Sequence, residues 1–213
     1  MSSTESVAQD VPIRVLSGPT VLIEYAGLRL LTDPTFDEPG EYPTPLPGFS
    51  LFKTAPSPVP PEQLGRIDAV LLSHDEHADN LDRSGRELLS RVPVTLTTVS
   101  GAGRLGGNAR GLAFWEETTL TAPDGTVVTV TGLPARHGPE GTEAASGDVV
   151  GFLLTAPDHP SVYVSGDNAG MDLVQEIADR YAPVDVAVLF IGGVRHEPFF
   201  DGALVTIDND QAA

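Results

Sequence analysis

The chain of 213 residues contains no cysteine. Disulfides and thiolate metal sites are thereby excluded, so any metal would be held by histidines and carboxylates. Lysine is nearly missing as well. Lys53 is the only one among 12 basic residues, against 30 acidic ones, for a net charge of −18. That balance argues against a nucleic-acid partner and against an anionic membrane surface. It leaves room for a small anionic substrate, because a metal ion reverses the field around itself. The lack of lysine fits genome bias and adaptation to salt equally well. There is no run of about 18 apolar residues of the kind a membrane span needs. The start, Met1-Ser2-Ser3-Thr4-Glu5, has neither the basic beginning nor the apolar core of a secretory signal. A cytoplasmic protein is the expectation. With 40% apolar residues, one domain over residues 1–213 is long enough to bury a substantial core.

Histidine is also sparse, at five in the chain, yet two fall in Ser73-His74-Asp75-Glu76-His77-Ala78-Asp79-Asn80. This segment follows the apolar run Ala69-Val70-Leu71-Leu72. A strand that ends in clustered His and Asp holds ligands rigidly and aims them at one point, which a hydrolytic metal site requires. A plainer reading has Asp79 or Asn80 capping a helix that starts at Leu81.

The rest of the chain reads as mixed α and β. Residues 1–11 are polar and expected to be loose. Val21–Tyr25 and Leu28–Thr32 flank Ala26-Gly27 as a hairpin, and Asp33-Pro34 ends the second strand. Residues 39–61 carry eight prolines, which suits a lid, a cleft wall or a pinned surface connection. Ile67–Ser73 reads as a buried strand, Leu81–Val92 as a helix and Val94–Val99 as a strand. Gly101–Gly111, with five glycines, matches no phosphate-binding fingerprint and reads as a flexible loop. Thr118–Thr131 forms a hairpin about Pro123-Asp124-Gly125, broken by Gly132–Pro139. Val149–Thr155 and Ser161–Ser165 form a second hairpin, with His159 in its turn. Met171–Tyr181 fits a helix, Asp185–Ile191 a buried strand and Leu204–Ile207 a short extended segment. Asp208-Asn209-Asp210-Gln211 reads as a helix start. Strands with outer helices place the chain in the α+β class.

Three loops, each after a strand, carry metal-type ligands: His74, His77 and Asp79; His137; and Asp167. Together they argue for a metal site at one edge of the fold. Such a set holds Zn²⁺ and also accepts Mn²⁺ or Fe²⁺. A shared carboxylate bridges two ions, and Asp167 is the candidate.

These motifs resemble the metallo-β-lactamase fold superfamily. More narrowly, they resemble its L-ascorbate-6-phosphate lactonase-like and N-acyl-phosphatidylethanolamine phospholipase D-like hydrolases. Gly18–Tyr25 with Leu30–Pro34 is similar to the opening hairpin, and Leu71–His74 through Asp79–Asp82 to the His-rich motif. Pro134–Pro139 is similar to the next His loop, and Tyr163–Asp167 to the loop of the bridging Asp. The resemblance covers about residues 13–208. It implies a four-layer αββα sandwich, short at its C-terminus because a further family His would lie beyond Ala213. The family motif is His-any-His-any-Asp-His. Here one extra residue separates His74 from Asp79, and Asn80 stands in place of the last His. His196 is the only later histidine.

The resemblance implies a metal-dependent hydrolase with one or two divalent ions, acting on a lactone, ester or phosphodiester. Its metal ligands would be His74, His77, Asp79, His137 and Asp167. Asp79 would also be the catalytic group, binding the second ion or orienting the attacking hydroxide. Arg136 or Arg195 would receive an anionic substrate. The alternative is a catalytically impaired member with a binding or assembly role, in which a free sheet edge pairs with a second copy.

Overall fold

The computed structural model describes residues 10–44, 50–195 and 200–213. The expectations for residues 1–9, and for His196, lie outside the described residues.

A first sheet has six strands. β1 (Ile13–Ser17), β2 (Thr20–Tyr25) and β3 (Leu28–Thr32) run antiparallel, and the hairpin between β2 and β3 turns at Ala26-Gly27. Both turn residues have positive φ, 47° and 81°, which matches the twist of the paired strands. A small two-stranded ribbon follows, β4 (Gly40–Pro43) with β5 (Ser50–Lys53). The first sheet is then completed in parallel by β6 (Ala69–Leu71), β7 (Thr95–Thr97) and β8 (Ala109–Gly111). Helix α1 (Arg83–Leu89) connects β6 to β7. Its cap is Asp82, whose Oδ1 accepts from Gly85 N at 2.8 Å, so neither Asp79 nor Asn80 caps it.

The Gly101–Gly111 stretch is ordered, contrary to the loop expected there. Helix α2 (Val99–Leu105) occupies most of it, capped by Thr98, whose Oγ1 accepts from Gly101 N. Gly101 serves close approach here. A Cβ on it would sit 2.8 Å from Thr98 Oγ1 and 3.0 Å from Asp75 Oδ1.

The second sheet has the order β13-β12-β11-β10-β9. β9 (Glu117–Thr121) and β10 (Val127–Ala135) form the expected hairpin. β10 runs on through Gly132-Leu133-Pro134 rather than breaking there, paired with β11 (Val149–Thr155). Pro134 is tolerated because it lies beyond the last β9 partner, Thr131. A one-turn helix, α3 (Glu143–Ser146), lies between β10 and β11. β12 (Val162–Val164) follows, then α4 (Met171–Tyr181) and β13 (Val186–Val188). β13 is an edge strand and only half buried, not the buried strand its apolar run suggests. The apolar side chains Val188 to Ile191 instead form one wall of a cavity. Leu204–Ile207 makes a single bridge to Arg195 rather than a strand. The chain closes with α5 (Asn209–Ala212), a full capping box on Asp208 and Gln211.

Period-two alternation sorts the strands into layers. Ile23, Tyr25, Leu30 and Leu71 of the first sheet meet Val128, Val130, Phe152 and Leu154 of the second in the central core. The opposite faces bury helices. Leu22, Leu31, Val70 and Leu72 pack on Leu88 and Leu89 of α1. Leu133, Leu153 and Tyr163 pack on Ile177 of α4. The result is the αββα sandwich. No helix among the described residues is long and apolar enough to cross a membrane.

Candidate metal centre

Strands β3, β6, β10 and β12 point their C-terminal ends to the same edge of the sandwich. β3 and β6 are parallel, while β10 and β12 are both antiparallel to β11. Their outgoing loops carry Asp33, His74 to Asn80, His137 and Asp167. Gly166 lets the two sheets meet there. It takes φ 59°, and a Cβ on it would lie 2.8 Å from Ser73 Cβ.

Three imidazoles converge. Ring centroids are 4.8 Å apart for His74 and His77, 5.0 Å for His77 and His137, and 5.5 Å for His74 and His137. One ring nitrogen from each lies within 4.8 Å of the others. His74 is fully buried and His137 nearly so. The expectation that His74 and His77 act together across one extra residue has a geometric basis, since His74 Nε2 lies 3.0 Å from His77 Nδ1. The extra residue is absorbed by turning Asp75 away from the imidazoles. Arg104 of α2 donates to both Asp75 oxygens from Nε at 3.0 and 3.1 Å, and from NH2 to Oδ1 at 2.5 Å. The same guanidinium reaches Glu76.

Hydrogen bonds set the tautomers. Ser73 Oγ donates to Asp33 Oδ2 at 2.5 Å, so it accepts from His74 Nδ1 at 3.0 Å. That leaves the Nε2 lone pair of His74 facing the cluster. His137 Nδ1 donates to Val205 O at 2.6 Å, which leaves its Nε2 lone pair free. Asn168 ties these loops together: its Oδ1 accepts from Arg136 N at 3.0 Å, and its carbonyl from Ile207 N at 2.8 Å.

Burial, and then the neighbouring His77, hold His74 well below the usual imidazole range. Burial, and then His137, push His77 down to about 4. Both rings are therefore neutral near pH 7, the form that ligates a metal. Burial and the nearby Asp167 push Asp79 up to about 6. Burial also raises Asp167, against the opposing effect of His137.

These residues fit a divalent ion. Three imidazole nitrogens lie close together, and two of the rings, His74 and His137, are fixed from behind by a second hydrogen bond, as metal-binding histidines are. Two buried oxygens beside them, Asp79 Oδ1 and Asn80 Oδ1, have no hydrogen-bond partner. Asp167 Oδ2 lies 3.9 Å from His137 Nε2. Asp79 and Asp167 stand beside the three-histidine cluster rather than within it. Asn80 turns its amide nitrogen to Asp33 Oδ2 at 2.8 Å and leaves only its oxygen for a cation.

Sequence reasoning missed Asp33. It is fully buried, accepts from Ser73 N and Oγ and from Asn80, and is pushed up to about 7 by that burial. The signal was available: like the ligands of the other three loops, it is a metal-type side chain directly after an apolar strand. Arg104 was missed too, because its glycine-rich surroundings read as loop.

The cluster opens into a cavity of about 540 Å³. Tyr42, Thr44 and Leu51 of the proline-rich segment line it, as a cleft wall would. Lys53 pins that segment: its Nζ donates to Thr35 O at 3.1 Å and lies 3.9 Å from Asp82 Oδ2. Arg136 and Arg195, expected near a substrate, do not line the cavity. Arg136 is held by Asp172 at 2.6 and 3.2 Å, and Arg195 by Gly202 O at 3.0 Å.

A histidine-rich site at the strand ends of an αββα sandwich defines a metal-site class of protein. Within it, residues 28–213 match the beta-lactamase superfamily domain, and the chain belongs to that superfamily. Over 159 residues it is 24% identical to a UPF0173 metal-dependent hydrolase from Anaeromyxobacter dehalogenans. That match takes in 65% of this chain and 54% of the relative, so the chain spans about half the length of the curated relatives it matches. Among solved structures, it resembles an isothiocyanate hydrolase from Delia radicum gut bacteria with a TM-score of 0.73 and 22% identity. The likeness covers 93% of this chain and 77% of that one. A possible metal-dependent hydrolase from Veillonella parvula gives a TM-score of 0.75 at 18% identity, covering 96% and 79%. The relatives' names and the histidine cluster together support divalent metal binding.

Proposed function

We propose that this protein is a metal-dependent hydrolase of a small molecule with a lactone, ester or phosphodiester bond. The observation that carries the reading is the convergence of His74, His77 and His137 at the cavity, with one ring nitrogen of each within 4.8 Å of the others. These three side chains would hold the first ion, with zinc the first choice for an all-imidazole set. Asp79, Asp167 and the oxygen of Asn80 would hold a second, more weakly, because an amide oxygen replaces an imidazole. When bound, the ion would lower the pKa of a water and polarise the scissile group. Were no second ion held, Asp79 Oδ1, which has no hydrogen-bond partner, would instead accept a hydrogen bond from the attacking water and orient it. Strands β6 and β10 anchor the loops that carry the histidines, and apolar side chains line much of the cavity.

The experiment is a hydrolysis panel of lactones, esters and phosphodiesters on zinc-supplemented protein, beside His77→Ala. Turnover of one class, lost by at least about a hundredfold in the variant, is the result expected. Bound metal without turnover of any class would instead support the binding role.

A further inference from the structure

Every Lys and Arg of the chain falls in the described residues, since segments 1–9, 45–49 and 196–199 contain neither. None of these 12 cations lines the cavity at the histidine cluster. Three arginines on the loops around the site are engaged elsewhere: Arg136 with Asp172, Arg195 with Gly202 and Asp208, and Arg104 with Asp75 and Glu76. The charged groups on the wall are instead acidic: Glu76, Asp79 and Asp167. The remainder is dominated by apolar side chains, among them Val15, Leu51, Val188, Phe190, Ile191 and Val194. A volume of about 540 Å³ matches enclosure of a small organic molecule.

We infer that this cavity takes an uncharged, apolar ester or lactone, and that it discriminates against phosphodiesters and other anions. A phosphodiester keeps its charge on binding. Here it would exchange water for a wall that offers it no guanidinium or ammonium and carries Asp79 and Asp167, which only a bound ion would offset, beside Glu76, which Arg104 already pairs. An uncharged acyl chain loses no solvation of charge and gains from leaving water. Specificity thus comes partly from what the wall repels. The chemistry balances with water alone. The water oxygen bonds to the acyl carbon, the acyl C–O bond breaks, and the departing oxygen takes a proton. An ester gives an acid and an alcohol, and a lactone gives one hydroxy acid.

The inference rests on the hydrolase reading for the reaction, but binding tests it separately. The purified protein as isolated is titrated calorimetrically with 2-undecanone, which is uncharged and cannot be hydrolysed, and with dibutyl phosphate. The ketone should bind at least about tenfold more tightly. Ile191 is 45% exposed and lines the cavity, so Ile191→Arg adds a cation to the wall without opening the core. That variant should narrow or reverse the preference by about tenfold. In parallel, zinc-supplemented protein is given p-nitrophenyl octanoate and bis(p-nitrophenyl) phosphate. Faster turnover of the octanoate agrees with the inference. Turnover of neither, and of no lactone in the panel above, with the ketone still preferred, removes the hydrolase reading and leaves the cavity's preference standing. Dibutyl phosphate bound as tightly as the ketone, no binding of the ketone, or faster turnover of the phosphodiester overturns the inference.

Discussion

At the scale of single residues, the site depends on groups behind the imidazoles as much as on the imidazoles themselves. The chain Asp33, Ser73, His74 is continuous at 2.5 and 3.0 Å and fixes which nitrogen of His74 faces the cluster. Ser73→Ala removes the acceptor for Nδ1 and frees the ring to take the other tautomer. Zinc affinity should fall by about 10–100-fold while the far-UV circular dichroism is unchanged. Asp37 offers a separate case, away from the cluster. Burial alone would raise its pKa, but donors from Ser84 N and Oγ, then Arg83, outweigh it and hold Asp37 below the usual carboxylate range. A depressed carboxylate contributes stability above its unfolded pKa of about 4, and that contribution is lost as pH falls through the lower folded value. Asp37→Asn should therefore lower the melting temperature at pH 7 and make it less sensitive to acid below about pH 4. An unaltered pH profile would remove this role from Asp37.

Among the secondary-structure elements, α2 carries more than its seven residues suggest. It delivers Arg104 to Asp75 and Glu76 in the His-rich motif, and so ties that loop to the sheet's helical layer. Asp75 is buried, whereas Arg104 is 44% exposed at its side chain, so solvent screens part of their attraction. Arg104→Ala should cost about 1–3 kcal/mol in chemical denaturation, because it leaves a buried carboxylate without its main donor. It should also weaken zinc binding, and Arg104→Lys should restore only part of both.

The elements also show how much the sequence disclosed. The apolar runs and hairpin signals disclosed only mixed strands with outer helices; the two-sheet sandwich came from the resemblance to the metallo-β-lactamase fold. Turn chemistry at Ala26-Gly27 and Asp124-Gly125 located the hairpins. The failures have a common cause. Gly101, Pro134 and the apolar run before Ile191 were read for local preference, whereas tertiary contact decided them. Gly101 admits Asp75, Pro134 stands past the last β9 partner, and Val188 to Ile191 face a cavity. For the same reason the ligand histidines were legible from spacing, but their anchors Asp33, Arg104 and the Val205 carbonyl were not. Asp33 lies 41 residues from His74, Arg104 29 from Asp75 and Val205 68 from His137, and only folding unites them.

For the whole molecule, the site exists where two sheets meet, and no single layer contains it. β6 supplies His74 and His77, while β10 and β12 of the opposite sheet supply His137 and Asp167. Gly166→Ala should strain a left-handed backbone and push against Ser73 at once. We expect a loss of about 1–3 kcal/mol, with a larger effect on metal retention than on secondary structure.

The central claim is that His74, His77 and His137 hold a divalent ion between the sheets. Elemental analysis of the protein purified without chelator, before and after zinc titration, measures it most directly. At least one ion per chain in the wild type, and none retained by His77→Ala or His137→Ala of unchanged fold, is the predicted result. A folded wild-type protein that neither carries metal nor takes up zinc would contradict it.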